Sequence, residues 1–134
     1  MLILKDVKVT INGKTSKLKA LFDTGSSFTI MGYQRLMELF KNVKIKVLAK
    51  PREAALINGQ KIVIDGYIDA EILIEDHYIV TLIYLSKNIP KEVVIEGKRI
   101  PLPDLIIGAP TLETWGLELD LKTGKIIKRG CFII

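Results

Sequence analysis

Hydrophobic and polar residues alternate along much of this chain, in short runs separated by turn residues. Residues 67–74 show the alternation most clearly, because every second position there is apolar. Successive side chains of a strand point to opposite faces, so this pattern predicts strands with one buried face. Helical spacing is confined to residues 32–41 and to one turn at residues 111–115. The pattern therefore predicts an all-β barrel or sandwich with one or two short helices.

Turn residues divide these runs into hairpins. Asn12-Gly13 joins residues 5–11 to 16–22, and Asn58-Gly59 joins residues 53–57 to 61–64. Three more hairpins are predicted, at residues 67–85, 93–100 and 117–134. Two single strands are predicted as well, at residues 27–31 and at residues 43–49, where Pro51 would end the strand. Such a series of short hairpins favours a barrel or a sandwich.

Length and composition narrow the class of protein. The 134 residues are expected to form a single domain, 1–134. The strongest apolar run, residues 78–85, is far shorter than the roughly 20 residues that span a membrane, and the first residues are too short for a signal-peptide core. The single cysteine, Cys131, allows no intrachain disulfide and is expected to be a small buried hydrophobe, with an interchain link across a two-fold axis as the alternative. These features predict a cytoplasmic location.

The distribution of charged residues does not indicate a nucleic-acid partner. The formal net charge is +5, but the basic residues are scattered, and no aromatic residues interleave with the lysines of residues 41–47. The only histidine, His77, lies in the polar turn Glu75-Asp76-His77 and is expected to be solvated. The sequence shows no metal-ligand cluster, so neither a metal nor another cofactor is expected.

One carboxylate interrupts an apolar stretch. Residues 20–22 are apolar, Asp23-Thr24-Gly25-Ser26 forms a small polar turn, and apolar residues resume at Phe28. An acid at the end of a buried strand is costly unless it is hydrogen-bonded or functional. The plain alternative is a strand-ending turn in which the aspartate accepts a bond from its own backbone two residues on.

The stretch Leu21-Phe22-Asp23-Thr24-Gly25-Ser26 resembles the active-site loop of aspartic proteases. The order of further elements resembles the retropepsin-like branch of that family: a hairpin at residues 53–64, then Ile106-Ile107-Gly108, then a short helix at residues 110–115. The resemblance spans most of the chain. It implies a closed acid-protease-type β-barrel in which the hairpin at 53–64 acts as a flap over the site.

The resemblance also implies a mechanism and a partner. Aspartic proteolysis needs two adjacent carboxylates that share a proton, because two charges in a dry site cannot both ionise. This chain has one Asp-Thr-Gly, so a two-fold homodimer would bring Asp23 against the partner's Asp23. The substrate would be a peptide or an unfolded protein, and water would hydrolyse the peptide bond. The expected catalytic residues are Asp23, Thr24, Gly25 and Ser26, and the expected substrate-binding residues are Leu56, Ile57, Asn58, Gly59 and Ile107.

Each residue of the loop would have its own role. Thr24 would hydrogen-bond across the dimer axis, and the Gly25 backbone would support the carboxylate and lie close to substrate. The Ser26 hydroxyl would donate to the outer oxygen of Asp23, which predicts a lowered pKa of the dyad and an acidic optimum. The chain end, residues 128–134, is expected either in a dimer sheet or as an edge strand of the core.

Two positions depart from the viral pattern. Viral members have an acid and an arginine where this chain has Ser27 and Ala109, so the pair that braces the viral dimer is absent. Viral members also usually have alanine where this chain has Ser26, which indicates a cellular or archaeal type. The sequence thus leaves three readings: a homodimeric aspartic endopeptidase, a catalytically silent peptide-binding or dimerisation module of the same fold, and a basic nucleic-acid-binding barrel, which salt-dependent binding would test.

Overall fold

The computed structural model describes residues 2–129. Strands account for 58% of it, with few helices. The strands are β1 Leu2–Ile11, β2 Lys14–Asp23, β3 Ile30–Gly32, β4 Lys46–Ala55, β5 Lys61–Ile74, β6 His77–Ser86, β7 Glu92–Ile95, β8 Lys98–Pro101, β9 Leu105–Gly108, β10 Leu117–Leu119 and β11 Ile126–Lys128. The helices are α1 Tyr33–Leu39 and α2 Ala109–Thr114.

Six strands close into a barrel. Their order is β1-β2-β9-β3-β6-β5, and β1 pairs again with β5, so that Val9 lies opposite Ile72. Strand β4 continues the sheet outside the barrel and pairs only with β5. This confirms the prediction of an all-β closed barrel with short helices. Among the described residues no helix is long and apolar enough to cross a membrane.

Parallel pairing brings distant segments to the Asp-Thr-Gly loop. Strand β9 lies parallel to β2, with Leu21 opposite Ile106 and Asp23 opposite Gly108. On its other side β9 pairs antiparallel with β3. Because β9 lies between the two strands that flank the loop, the second sequence element reaches the first across more than 80 residues of chain.

Two apolar clusters stabilise the molecule. The barrel core contains fully buried residues of the closed sheet, among them Phe22, Ile72 and Ile107. A smaller cluster, the hairpin core, lies beneath the β4–β5 hairpin and consists of Ile30, Leu56, Ile62, Ile64, Val93 and Ile106. Full burial of one such side chain contributes about 1.5–3 kcal/mol to folding. The hairpin is therefore packed onto the barrel.

Most predicted hairpins are confirmed, but several strand boundaries differ, three of them for a reason that the sheet makes clear or by several residues. Strand β4 continues through Pro51 instead of ending before it. It can do so because β4 is an edge strand whose register shifts between Val47 and Arg52, where no backbone donor of Pro51 is required. Strand β5 is one strand of 14 residues instead of two. Strand β3 is shorter than residues 27–31 and begins only at Ile30. Residues 130–134, which include Cys131 and most of the chain end considered above, lie outside the described residues.

Candidate active site

Asp23 is the last residue of β2 and is half-buried. The Gly25 N–H donates to Asp23 Oδ1 at 2.9 Å, and the Ser26 N–H donates to the Asp23 carbonyl at 3.0 Å. The loop thereby turns back immediately after the strand and holds one carboxylate oxygen. This hydrogen bond alone would also suit an ordinary turn, so the surroundings of the carboxylate decide what it can do.

Gly108 lies directly beside the loop. A Cβ at this position would lie 2.6 Å from the Ser26 carbonyl oxygen and 2.8 Å from that of Phe28. The next residue, Ala109, donates its N–H to the Ser26 carbonyl at 3.2 Å. Both contacts are with backbone, which cannot swing aside, so only glycine fits. This explains physically why Gly108 belongs to the site.

Thr29 connects the loop to helix α2, and the sequence pattern does not predict this connection. Its side chain is buried, and its Oγ1 accepts the Gly108 N–H at 3.2 Å and lies 2.6 Å from Thr111 Oγ1. Thr111 Oγ1 in turn lies 3.4 Å from Thr81 Oγ1. The buried polar group is thus satisfied. A threonine within a β-rich run carries no distinguishing sequence signal.

The predicted role of Ser26 is not what the structure shows. Its hydroxyl donates to the Phe28 carbonyl at 2.8 Å and accepts the Phe28 N–H at 3.3 Å, so it closes the loop instead of bonding to the Asp23 carboxylate. The local reason is the tight turn, which brings the Phe28 backbone within reach. Ser26 nevertheless lines the same cavity as Asp23.

A small cavity lies between Asp23 and the tip of the β4–β5 hairpin. Its volume is about 10 Å³, which is room for about one water molecule. The lining residues are Leu21, Asp23, Ser26, Ile30, Ala55, Leu56, Ile57, Leu102 and Ile106. The carboxylate therefore faces an almost closed, mostly apolar space, and an extended peptide can enter only if the hairpin moves.

The predicted substrate-binding residues divide into three groups. Leu56 and Ile57 line the cavity. Asn58 and Gly59 are exposed at the hairpin tip and do not line it; the Asn58 side chain accepts the Gln60 N–H at 3.0 Å. The prediction for Ile107 is wrong, because this side chain is fully buried in the barrel core.

Strand alternation explains the error at Ile107. Neighbouring side chains of β9 point to opposite faces of the strand. Ile106 therefore faces the cavity, and Ile107 faces the barrel core. Four more cavity-lining residues were not predicted from the sequence, namely Leu21, Ile30, Ala55 and Leu102. In a continuous apolar run such as 105–107, the sequence does not reveal which face is which.

Thr24 and Gly25 are exposed on the outer side of the loop. Thr24 borders a groove of about 350 Å³ whose other lining residues are Ala109, Leu112, Glu113, Leu117, Glu118, Leu119 and Leu121. Leu121 is 58% exposed there. An apolar groove thus lies next to the Asp-Thr-Gly loop.

His77 lies at the β5–β6 turn but is only half-exposed, and its Nε2 donates to the Ile126 carbonyl at 3.0 Å. Within residues 2–129, one group of potential metal ligands comes together, namely Glu75, Asp76 and His77. Both acids are exposed, and Glu75 forms an ion pair with Lys5 at 2.8 Å. This turn therefore has a structural explanation that involves no ion.

Solved structures resemble this fold. The crystal structure of the retroviral protease-like domain of Ddi1 from Leishmania major superimposes with a TM-score of 0.56 at 21% sequence identity, covering 96% of this chain and 90% of that one. EIAV protease complexed with the inhibitor HBY-793 superimposes with a TM-score of 0.59 at 16% identity, covering 90% of this chain and 94% of that one. No family model matches the sequence, and no curated protein matches it either. The chain has a retropepsin-like fold.

Proposed function

We propose that this protein is an aspartic endopeptidase that acts as a homodimer on peptides or unfolded proteins. The observation that carries the proposal is the position of Asp23. Its carboxylate lies in an Asp-Thr-Gly loop, beside Gly108 and under a hairpin that closes a mostly apolar cavity. An acid held at the end of a buried strand and facing such a space is a candidate for acid–base chemistry.

The proposed activity requires two chains, because one chain supplies one such carboxylate. The surface around Thr24 supports this requirement. Thr24 is exposed, and the groove beside it is lined by leucine side chains, of which Leu121 is exposed to solvent. In a two-fold dimer the partner would cover this surface and place its own Asp23 against the first.

In the proposed reaction, the two Asp23 carboxyl groups share one proton. The ionised carboxylate takes a proton from water as the water oxygen attacks the peptide carbonyl carbon. The protonated carboxyl group donates its proton to the carbonyl oxygen. Collapse of the tetrahedral intermediate breaks the C–N bond: the amine leaves with a proton from one carboxyl group, and one hydroxyl of the diol returns its proton to the other carboxylate as the C=O bond re-forms, which restores the shared proton. The Gly25 N–H, which bonds to Oδ1, holds the carboxylate in place through these steps.

The substrate would lie extended between the loop and the hairpin, with backbone hydrogen bonds for affinity and side-chain pockets for selectivity. Ile30, Leu102 and Ile106 line the space, so we propose a preference for apolar side chains. Hairpin closure would then exclude water from the bound peptide. We also propose that the enzyme acts in the cytoplasm.

A catalytically silent binding module is the second candidate. The observation that favours it is the Ser26 hydroxyl, which donates to Phe28 and leaves Asp23 with one fewer stabilising bond than expected. A pure binder, however, would have no use for two like charges on its axis.

Cleavage of a denatured protein between about pH 3 and 7 distinguishes the two candidates. The enzyme proposal expects cleavage that is strongest on the acidic side and is lost in Asp23→Asn. Asp6→Asn is the matched control, because Asp6 is an exposed carboxylate in β1, away from the cavity. Absence of cleavage in wild type across this range, with the dimer intact, would favour the binding module.

A further inference from the structure

The hairpin that covers Asp23 leaves the barrel at an irregular point in both of its strands. In β5, the pairing with β6 shifts between Ile64 and Gly66, which leaves Asp65 outside the ladder. In β4, the pairing with β5 shifts between Val47, which pairs with Gly66, and Arg52, which pairs with Ile64. Residues 48–51 therefore lie opposite Asp65. Both breaks in the ladder coincide at Asp65, and such a place bends more easily than a regular strand.

Tyr33, the first residue of α1, packs against this point. A Cβ built on Gly66 would collide with the Tyr33 hydroxyl and would lie 3.2 Å from the Lys46 carbonyl oxygen. Glycine at position 66 therefore leaves room for the Tyr33 hydroxyl where a side chain of β5 would otherwise lie.

Asp65 and Lys87 complete the cluster. Burial, together with hydrogen bonding to Asp65 and the charge of that carboxylate, raises the pKa of Tyr33 to about 12, so the hydroxyl keeps its proton. Lys87 Nζ lies 3.8 Å from Asp65 Oδ2 and 5.5 Å from the centre of the Tyr33 ring. Among the described residues, the buried Asp65 Oδ1 has no hydrogen-bond partner.

Asn88 holds the hairpin strand just beyond the end of β6. Its Oδ1 accepts the Val63 N–H at 3.0 Å and the Ser86 hydroxyl at 2.8 Å. A side chain thus takes the place of a strand neighbour at the root of the hairpin. On the hairpin side of Asp65, strand β5 is held to β6 by the single pair Ile64–Ser86 and by the Asn88 side chain, whereas continuous pairing begins at Gly66.

We propose that the Tyr33 hydroxyl, seated against Gly66 and beside Asp65, is a latch that holds the hairpin down over Asp23. Tyr33 is then a positioning residue for peptide entry. Lifting the hairpin would move Asp65, which lies at the break in the ladder, away from the Tyr33 hydroxyl and give the unpaired Asp65 oxygen access to water. The closed position gains the Tyr33 contact and loses hydration of that oxygen, so these two contributions to the closed–open equilibrium oppose each other. The consequence for peptide entry rests on the proposed function, whereas the latch itself does not.

Amide hydrogen exchange of the whole protein tests the latch without any substrate. In Tyr33→Phe, which keeps the ring and removes the hydroxyl, we expect the amides of residues 56–64 to exchange about five-fold faster, since one hydrogen bond is lost. Amides of the β1–β2 pair should exchange at the wild-type rate. Tyr78→Phe is the control, because Tyr78 is an exposed tyrosine of β6 whose hydroxyl is bonded to Glu71. Unchanged exchange at 56–64, or equal acceleration in β1–β2, would overturn the latch.

A second variant pair tests the contact directly. Gly66→Ala forces the new methyl group against the Tyr33 hydroxyl and should also accelerate exchange at residues 56–64. In the double variant Tyr33→Phe/Gly66→Ala the hydroxyl is absent and the collision is relieved. Gly66→Ala should therefore accelerate exchange less in the Tyr33→Phe background than in the wild type. Strictly additive effects of the two substitutions would contradict a direct contact.

Peptide cleavage supplies the functional readout. The latch predicts that Tyr33→Phe lowers KM by up to about five-fold and leaves kcat and the pH profile unchanged, because the hairpin then opens more easily for peptide entry. If the wild type cleaves peptides and KM is unchanged, the role in peptide entry is wrong. If exchange changes as expected and the wild type cleaves nothing, the latch stands and the proposed protease function fails.

Discussion

Asp23 and Gly108 lie side by side in the parallel pair of β2 and β9, and the missing side chain of the glycine leaves just enough room for the Asp-Thr-Gly loop. A side chain at position 108 would collide with the Ser26 and Phe28 carbonyl oxygens. The loop that carries the Asp23 carboxylate therefore requires glycine at this position. Two segments far apart in the sequence therefore form one structural unit.

Gly108→Ala should damage this unit. The added methyl group would press on backbone atoms, and we expect a loss of about 1–3 kcal/mol in the free energy of unfolding. Gly32→Ala is the matched control, because a Cβ there would approach its nearest neighbours only to 4.0 Å. Chemical denaturation of both variants measures the difference. Equal stability of the two would show that the loop can shift to accommodate a side chain.

Ser26→Ala separates the observed role of this residue from the one expected from the family resemblance. The hydroxyl bonds to the Phe28 backbone, so its removal should cost about 1 kcal/mol of stability. The acid limb of the pH–activity profile should not move. An upward shift of that limb would show that the hydroxyl stabilises the Asp23 carboxylate in the working enzyme.

Much of the fold could be predicted because its signals are local. Asn12-Gly13 and Asn58-Gly59 mark tight turns wherever they occur between strands. The Asp-Thr-Gly and Ile-Ile-Gly elements likewise depend on few residues. The course of β4 through Pro51 could not be predicted, because it depends on β4 being an edge strand, which is a property of the whole sheet.

The site was harder to predict than the fold. Whether Ile106 or Ile107 faces the cavity depends on which neighbours β9 acquires, and three consecutive apolar residues do not encode that choice. The direction of the Ser26 hydroxyl depends on how tightly the loop turns. The contact between Tyr33 and Gly66 joins a helix to a strand bulge, and neither residue carries a motif.

Alanine substitutions at Ile106 and Ile107 test which of these two side chains of β9 lies on the cavity side. Ile107→Ala removes a fully buried side chain from the barrel core and should cost about 2–5 kcal/mol of stability. Ile106→Ala also removes a buried side chain, but it enlarges the cavity beside Asp23 and should change which side chains flank the cleaved bond. Cleavage-site profiling of both variants decides the matter. The facing would be wrong if Ile107→Ala changed the profile and Ile106→Ala did not.

Tyr33 should make stability depend on alkaline pH. Its pKa in the folded protein is about 12, above the ordinary value of 10.0, so the folded state favours the protonated phenol. This contribution is fully present below about pH 10 and is lost as the pH rises through 12. Denaturation between pH 9 and 12 should therefore show a shallower decline in Tyr33→Phe than in wild type. Identical slopes would mean that the hydroxyl is not held by burial and Asp65.

The most direct test of the central claim is to mix chains and measure peptidase activity. Wild-type and Asp23→Asn chains are refolded together at constant total concentration and in varying proportions. If the dyad is shared between two chains, only dimers of two wild-type chains are active, and an equal mixture should retain about one quarter of the activity. Retention of about one half would mean that each chain works alone, and would contradict the proposal that Asp23 acts with the partner's Asp23.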